Sequence, residues 1–265
     1  MSIEILFPEA KSKCVTFSYD DGRDFDKRLV EIFNKYKVKA TFHLPSSWLG
    51  NDGYIKPEEV KEVYAGHEVA CHALTHPYLT QLPKERMIQE VLEDRRNLEA
   101  LVGYPVRGMS YPFGVYSNEV CSMLKELGIE YCRTVNDTNE FPLPTDYICW
   151  DPTSHHDEVN EEMIEKFLNP PEYVKLQLLY IWGHSFEFDS NDNWNKIEEI
   201  CEGLANRDDV WYATNIEIKD YLDAAKGLKI SVDQTIVKNP SATTVWFKSD
   251  QEVKVIHPGE TLCLK

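Results

Sequence analysis

The chain has 265 residues, a net charge of −17, and 42% apolar, 28% charged and 12% aromatic residues. This length suits one large α/β barrel or two modest domains. The acidic balance argues against nucleic acid or an anionic membrane as partner, since phosphate surfaces are bound by basic patches. The opening "MSIEILFPEAKSK" shows no basic segment followed by a leader-like apolar run. No stretch reaches the ~18 apolar residues of a membrane span, so a cytoplasmic location is expected. Seven scattered cysteines without a C-x-x-C read as reduced thiols, not as a disulfide framework or a metal knot.

In chain order, "CVTFSY" (14–19) is a predicted buried strand, and "DFDKRLVEIFNKYK" (24–37) places Leu29, Val30, Ile32, Phe33 and Tyr36 on a helical face. "KATFHL" (39–44) is a second strand. "KPEEVKEVYAG" (56–66) reads as a helix with Pro near its start and Gly at its end. "HEVACH" (67–72) is a third strand, and "PKERMIQEVLEDRRNLEALVG" (83–103) is the clearest helix. "VRGMSY" (106–111), "SNEVCSMLKELG" (117–128) and "EYCRTV" (130–135) continue the strand–helix–strand alternation. An irregular stretch (139–157) precedes helix 160–169, strand 175–183, helix 193–206, strand 210–214 and helix 215–227. This alternation predicts parallel βαβ units, closed into a barrel or left as an open sheet, with a site at the strand C-termini. We expect residues 1–227 to form this domain and 228–265, a series of short predicted strands, to form a β appendage packed on it.

Asp20 and Asp21 follow the first predicted strand, and His72 and His76 the third. Two imidazoles and a carboxylate make a three-point site for a divalent ion, and a second carboxylate beside it suits general-base work. Either piece alone is weak: H-x-x-x-H is more often incidental, and Asp-Asp-Gly more often a turn. Their shared strand-end position is the stronger signal. "SYPFG" (110–114) follows the fourth strand and reads as a shaped loop. "YIWGHSFEF" (180–188) puts His184 at the end of another apolar strand. His43 and His67 read as structural; His155 and His156 lie in the irregular stretch, within possible reach of a substrate; Glu187 could orient His184 or face solvent.

Taken together, these stretches resemble the polysaccharide deacetylases (carbohydrate esterase family 4, the NodB-homology domain) over roughly residues 13–225. "SYDDG" is similar to that family's T-F-D-D-G, "HALTH" to H-[ST]-x-x-H, "SYPFG" to R-x-P-[YF]-G, and "WGH" to Leu-x-His. The resemblance implies a distorted (β/α) barrel of about seven parallel strands and metal-dependent removal of an N-acetyl or O-acetyl group from a carbohydrate. Asp20 would be the base and His184 the acid. Asp21, His72 and His76 would hold the metal: Zn2+ first, with Co2+, Ni2+ or Fe2+ as other possibilities. Tyr111, Pro112, Phe113, Gly114, Trp150 and Trp182 would line the substrate groove. Three positions depart from the pattern: Ala73 lacks the expected hydroxyl, Ser110 stands where an arginine orients the base, and Trp182 replaces a leucine. Arg107 is the nearest candidate for that arginine. Two alternatives follow from these departures: a metal-dependent amidohydrolase acting on a small ureide or formamide, and a non-catalytic carbohydrate-binding relative.

Overall fold

The computed structural model describes residues 3–264. The elements are β1 (Ile3–Leu6), β2 (Lys13–Asp20), α1 (Asp26–Tyr36), β3 (Ala40–Leu44), α2 (Val60–Val63), β4 (Glu68–Cys71) and α3 (Lys84–Val102). They continue through β5 (Gly108–Ser110), α4 (Asn118–Glu126), β6 (Tyr131–Arg133), β7 (Ser154–His155), α5 (Glu161–Leu168) and β8 (Gln177–His184). The last are α6 (Ser185–Ser190), α7 (Trp194–Leu204), β9 (Val210–Tyr212), α8 (Asn215–Lys226), β10 (Lys229–Ile230), β11 (Ile236–Lys238), β12 (Val245–Ser249), β13 (Glu252–Ile256) and β14 (Thr261–Cys263).

Parallel strands run in the order β6-β5-β4-β3-β2-β8-β7, with β9 beside the first residues of β2. This is the distorted (β/α) barrel implied by the resemblance. β2 lies at its centre and is buried along all eight residues. Such a strand is covered on both faces, which explains its continuous "KCVTFSYD" rather than an alternating pattern. One cover is α1, whose Phe33 meets Phe17 with ring centroids 4.8 Å apart. Fully burying such a ring stabilises the fold by roughly 1.5–3 kcal/mol. α3 buries Met87, Val91, Leu98 and Val102 along one face and ends at Gly103, whose φ of 80° makes the left-handed cap.

Closure depends on the irregular stretch. The Trp150 N–H donates to the Cys132 carbonyl (3.1 Å), and the Thr134 N–H to the Trp150 carbonyl (3.0 Å). The Thr153 N–H reaches Tyr180 and the His156 N–H reaches Trp182, both at 2.8 Å. The segment 150–156 thus joins β6 to β8, and β7 is the two-residue strand within it. Its brevity explains why no period announces it.

Two elements differ from expectation. Over 56–66 there is a 3-10 turn, Pro57–Glu59, then a single α turn, Val60–Val63. Tyr64 is drawn inward, where its hydroxyl donates to Asp26 (2.6 Å), and Gly66 at φ 87° turns the chain into β4. At the other end, the tail forms two antiparallel three-stranded sheets, β1-β12-β13 and β10-β11-β14. The N-terminal strand joins the first of these, with Ile3 opposite Ser249. Phe7, Phe247, Val245 and Tyr221 form one buried cluster, so this sheet packs against α8.

Candidate metal centre and active site

β2 delivers Asp20 as its last residue, and Asp21 follows in a left-handed turn (φ 83°) continued by Gly22 (φ 68°). The turn is pinned where the Asp21 N–H donates to the His43 carbonyl (3.0 Å). β4 ends at Cys71, and the loop after it carries His72 and His76, with Ala73 and His76 both at positive φ. Helix α3 holds that loop from behind. Asp94 accepts the His72 N–H (3.0 Å), and Glu90 accepts both the N–H (2.8 Å) and the hydroxyl (3.0 Å) of Thr75. Thr75 thereby provides a loop hydroxyl bond that Ala73, wholly buried, cannot make.

The Asp21 carboxylate and the two imidazoles converge. His72 Nε2 and His76 Nε2 lie 3.8 and 3.9 Å from Asp21 Oδ1, and the three donor atoms fall within 4.8 Å of one another. Asp21 Oδ1 is buried without a hydrogen-bond partner. Burial, reinforced by the charge of Asp20, pushes its pKa up to about 6 despite the opposing charges of His184 and Arg23. His72 Nδ1 faces the carbonyl (3.0 Å) and hydroxyl (2.7 Å) of Ser110, which sets its proton on Nδ1 and leaves the Nε2 lone pair aimed at Asp21. Burial lowers the pKa of His72 to about 3 and that of His76 in the same direction, so both are neutral donors. An orphaned, uneasy carboxylate with two neutral imidazoles fits a divalent cation.

Asp20 sits beside this triad in a different environment. Its Oδ1 accepts the Ser110 hydroxyl (3.1 Å), and its Oδ2 is ion-paired to Arg133, whose side chain is wholly buried. Burial alone would raise the carboxyl; the Arg133 guanidinium, helped by neighbouring imidazoles, outweighs it and holds the group well below the usual carboxylate range. Arg133 also lies over the Trp182 ring at 4.6 Å. Opposite, His184 Nδ1 is 3.3 Å from Glu187 Oε1. Glu187 Oε2 accepts the His184 N–H (2.8 Å) and faces His155 Nε2 (3.1 Å). Burial would lower the pKa of His184, but Glu187 and Asp20 raise it above the ordinary value.

These groups open into a cleft of about 370 Å³ lined by Asp20, Asp21, His72, His76, Tyr111, Phe113, Trp182 and His184. The Phe113 turn is left-handed (φ 58°), with the ring half-exposed and stacked on Tyr78 at 4.0 Å. Gly114 also lines the cleft, and a Cβ there would lie 2.2 Å from Val135. The Trp182 indole N–H donates to Asp137 (2.7 Å), which fixes its plane across the cleft.

Comparison with known proteins agrees with this architecture. Residues 8–132 match the family described as polysaccharide deacetylase. Those residues belong to that family. Peptidoglycan-N-acetylglucosamine deacetylase PgdA of Listeria monocytogenes is 28% identical over 138 residues, 51% of this chain and 28% of that protein. Chitooligosaccharide deacetylase of Sinorhizobium fredii is 26% identical over 134 residues, 49% of this chain and 60% of that protein. The chain therefore spans only part of the length of these relatives. In fold, it is similar to the crystal structure of a putative polysaccharide deacetylase from Mycobacterium smegmatis. The TM-score is 0.65 at 18% identity, covering 85% of this chain and 95% of that one.

Against the polysaccharide deacetylase pattern, two expected residues lie elsewhere. Arg107 does not reach Asp20; it pairs with Asp220 through both guanidinium nitrogens (2.9 and 2.6 Å) and with Glu130 (3.2 Å). It precedes β5, whereas Asp20 ends β2, so the two are at opposite strand ends. The arginine that meets Asp20 is Arg133, which sequence reading does not single out. It is the register partner of Ser110 on the adjacent strand, one rung across from the position where the family pattern places its arginine. Trp150 is the second correction. It is a buried core residue, ringed by Tyr131, Tyr147 and Tyr180 and outside the cleft. Pro112 is buried under the Phe113 turn. His43 is buried with neither ring nitrogen hydrogen-bonded, and His67 accepts the Ala40 N–H (3.1 Å), a structural contact.

Proposed function

We propose that this chain removes acetyl groups from an N-acetylated or O-acetylated carbohydrate, with Asp21, His72 and His76 holding a divalent metal, Zn2+ first among candidates. The observation that carries this reading is a cation-seeking triad sharing one cleft with two oppositely tuned groups: Asp20, kept ionised by Arg133, and His184, kept protonatable by Glu187. When bound, the ion would supply Lewis acidity, polarising a carbonyl and acidifying water. The rest is the work of the chain's own residues. Arg133 and the Ser110 hydroxyl occupy both oxygens of Asp20 and fix the carboxylate's orientation. Asp20 takes a proton from the attacking water. His184, with Nδ1 turned to Glu187, presents Nε2 and gives its proton to the leaving nitrogen or oxygen, so that acetate and the free amine or hydroxyl result. Phe113 and Trp182 would narrow the cleft around the acyl group and exclude water, and the backbone N–H of Phe113 would donate to the developing oxyanion.

The test is acetate release from N-acetylglucosamine oligomers and acetylated xylan by Zn2+-loaded protein, with Asp20→Asn and His184→Ala alongside. Loss of activity in both variants with metal content retained supports the assignment; near-unchanged turnover in either defeats it. Trp182, in place of the family's leucine, reduces the space for an acyl group, so small ureides and formamides belong in the same assay, read as ammonia. Turnover of these alone would replace the carbohydrate reading by the small-amide one.

A further inference from the structure

Beyond the triad, the strap that closes the barrel carries three consecutive metal-binding residue types, His155, His156 and Asp157, whose donor atoms lie within 4.8 Å of one another. His156 is the unusual member. Its ring is wholly buried, stacked on Tyr19 (centroids 5.8 Å) and Phe188 (4.1 Å), yet neither ring nitrogen has a hydrogen-bond partner. The seat is made by Gly183: a Cβ there would stand 2.0 Å from His156 Nδ1. With Nδ1 against the Gly183 backbone, Nε2 points at two carboxylates, 3.4 Å from Asp157 Oδ1 and 3.6 Å from Glu187 Oε2. Neither approach is a hydrogen bond. Leaving a buried polar nitrogen unpaired is destabilising, and a ligand at Nε2 removes that penalty.

The neighbours are arranged as outer support. His155 Nε2 is engaged by Glu187 (3.1 Å); its Nδ1 accepts the Asp157 N–H over a long 3.3 Å, a bond that an ion would displace, and lies 3.8 Å from Asp157 Oδ2. Lys196 bonds the backbone carbonyl of Asp157 (2.5 Å) and not its carboxylate. Tetrahedral zinc with N and O donors spaces neighbouring donor atoms at roughly 3.3–3.5 Å, which the His156 Nε2–Asp157 Oδ1 pair, at 3.4 Å, already meets. Glu187 on the far nitrogen of His155 is the usual partner of a ligating imidazole. Asp157 is exposed, so an ion has a path in from solvent.

We propose that His155, His156 and Asp157 form a second divalent transition-metal site, separate from Asp21–His72–His76, with Glu187 as its supporting carboxylate. Because Glu187 also holds His184, an ion here would fix the side chain that governs the proposed proton donor. The site stands on its own residues and does not depend on the hydrolase reading.

The test is Zn2+ stoichiometry on the metal-stripped full chain, by calorimetric titration and by elemental analysis after dialysis. We expect two equivalents in the wild type and one each in His72→Gln and Asp157→Asn. None is expected when these are combined. Asp157 is exposed, so its replacement leaves folding intact, and an unchanged far-ultraviolet spectrum and melting temperature without metal verify this. His156→Gln should lose the same equivalent as Asp157→Asn. A single equivalent removed by His72→Gln and untouched by Asp157→Asn overturns the second site and leaves the first. A single equivalent with the reverse pattern keeps the second site and refutes the first. No bound metal refutes both.

Discussion

Replacing Arg133 by Met leaves the Asp20 carboxylate buried without its counter-charge. The two side chains are 0% and 4% exposed, so solvent does little to screen the loss. Removing one partner of such a buried pair costs about 3–5 kcal/mol. At roughly 2–4 °C per kcal/mol for a protein of this size, the melting temperature should fall by about 6–20 °C. The pH dependence carries a separate signature. In the wild type the folded pKa of Asp20 is depressed, so its stabilising contribution is full above the ordinary carboxylate range and is lost as pH falls through the folded value. Without Arg133, burial dominates and the carboxyl titrates upward, so that under the proposed mechanism Asp20 comes to limit the kcat/KM profile and shifts its acid limb to higher pH. Arg107→Met is the internal control: its pair is part-exposed, worth about 0–1 kcal/mol, and should leave that limb in place. Asp20→Asn combined with Arg133→Met should destabilise less than the two single changes added together. If Arg133→Met melts with the wild type and its acid limb does not move, the ion pair is not what sets Asp20.

Other outcomes follow from the same structure. Asp26, Glu68 and Asp94 are buried, which raises each pKa to about 7 despite their hydrogen bonds. Each of these carboxyls therefore keeps a proton in the native state that the unfolded chain releases from about pH 4 to 7, so its own contribution to stability declines as pH rises across that window, against an opposite contribution from the buried imidazoles of His43, His67, His72 and His156, which stay neutral in the native state. Urea midpoints at pH 5 and pH 8 for the wild type and Glu68→Gln isolate the Glu68 share: relative to the variant, the wild type should lose stability between the two pH values, and identical differences would refute the buried, protonated carboxyl. Gly108→Ala would set a Cβ 2.1 Å from the ring of Tyr131, a fully buried side chain bonded to Glu68. Destabilisation of about 1–3 kcal/mol or more is expected from chemical denaturation. Glu187→Gln should lower the pKa of His184 and move the basic limb of the rate profile downward, since Glu187 is what lifts that imidazole against its burial; an unmoved basic limb counts against the pairing.

The parts of the site that sequence reveals are those delivered at strand ends by local order. "SYDDG", "CHALTH", "SYPFG" and "WGH" each follow a β-rich run, so their convergence is implied once the strands are parallel. Arg133 escapes because nothing local distinguishes the arginine of "EYCRTV"; its meaning comes from lying opposite Ser110 across β5 and β6. The one available clue is depth, as both residues end short strands after similar apolar lead-ins. Trp150 misleads for the complementary reason: an aromatic in an irregular stretch looks like a groove wall until the backbone bonds to Cys132 and Thr134 show it seated beside β6 in the barrel wall, its ring in the core. The β1 strand is four residues long and finds its partner in Val245–Ser249, a pairing that no local pattern predicts.

The Ser110–Arg133 rung bears on how relatives are recognised. A motif is written along one strand, but the charge that steadies Asp20 needs only to arrive at a given height in the barrel, from whichever stave is adjacent. A scan that demands arginine two residues before the proline of "YPFG" would set this chain aside as degenerate, although a guanidinium reaches the same carboxylate from the next stave. Survey by rung rather than by linear spacing would keep such chains in view. It would also propose exchanging the two residues as a way to move the arginine back without changing what the carboxylate feels.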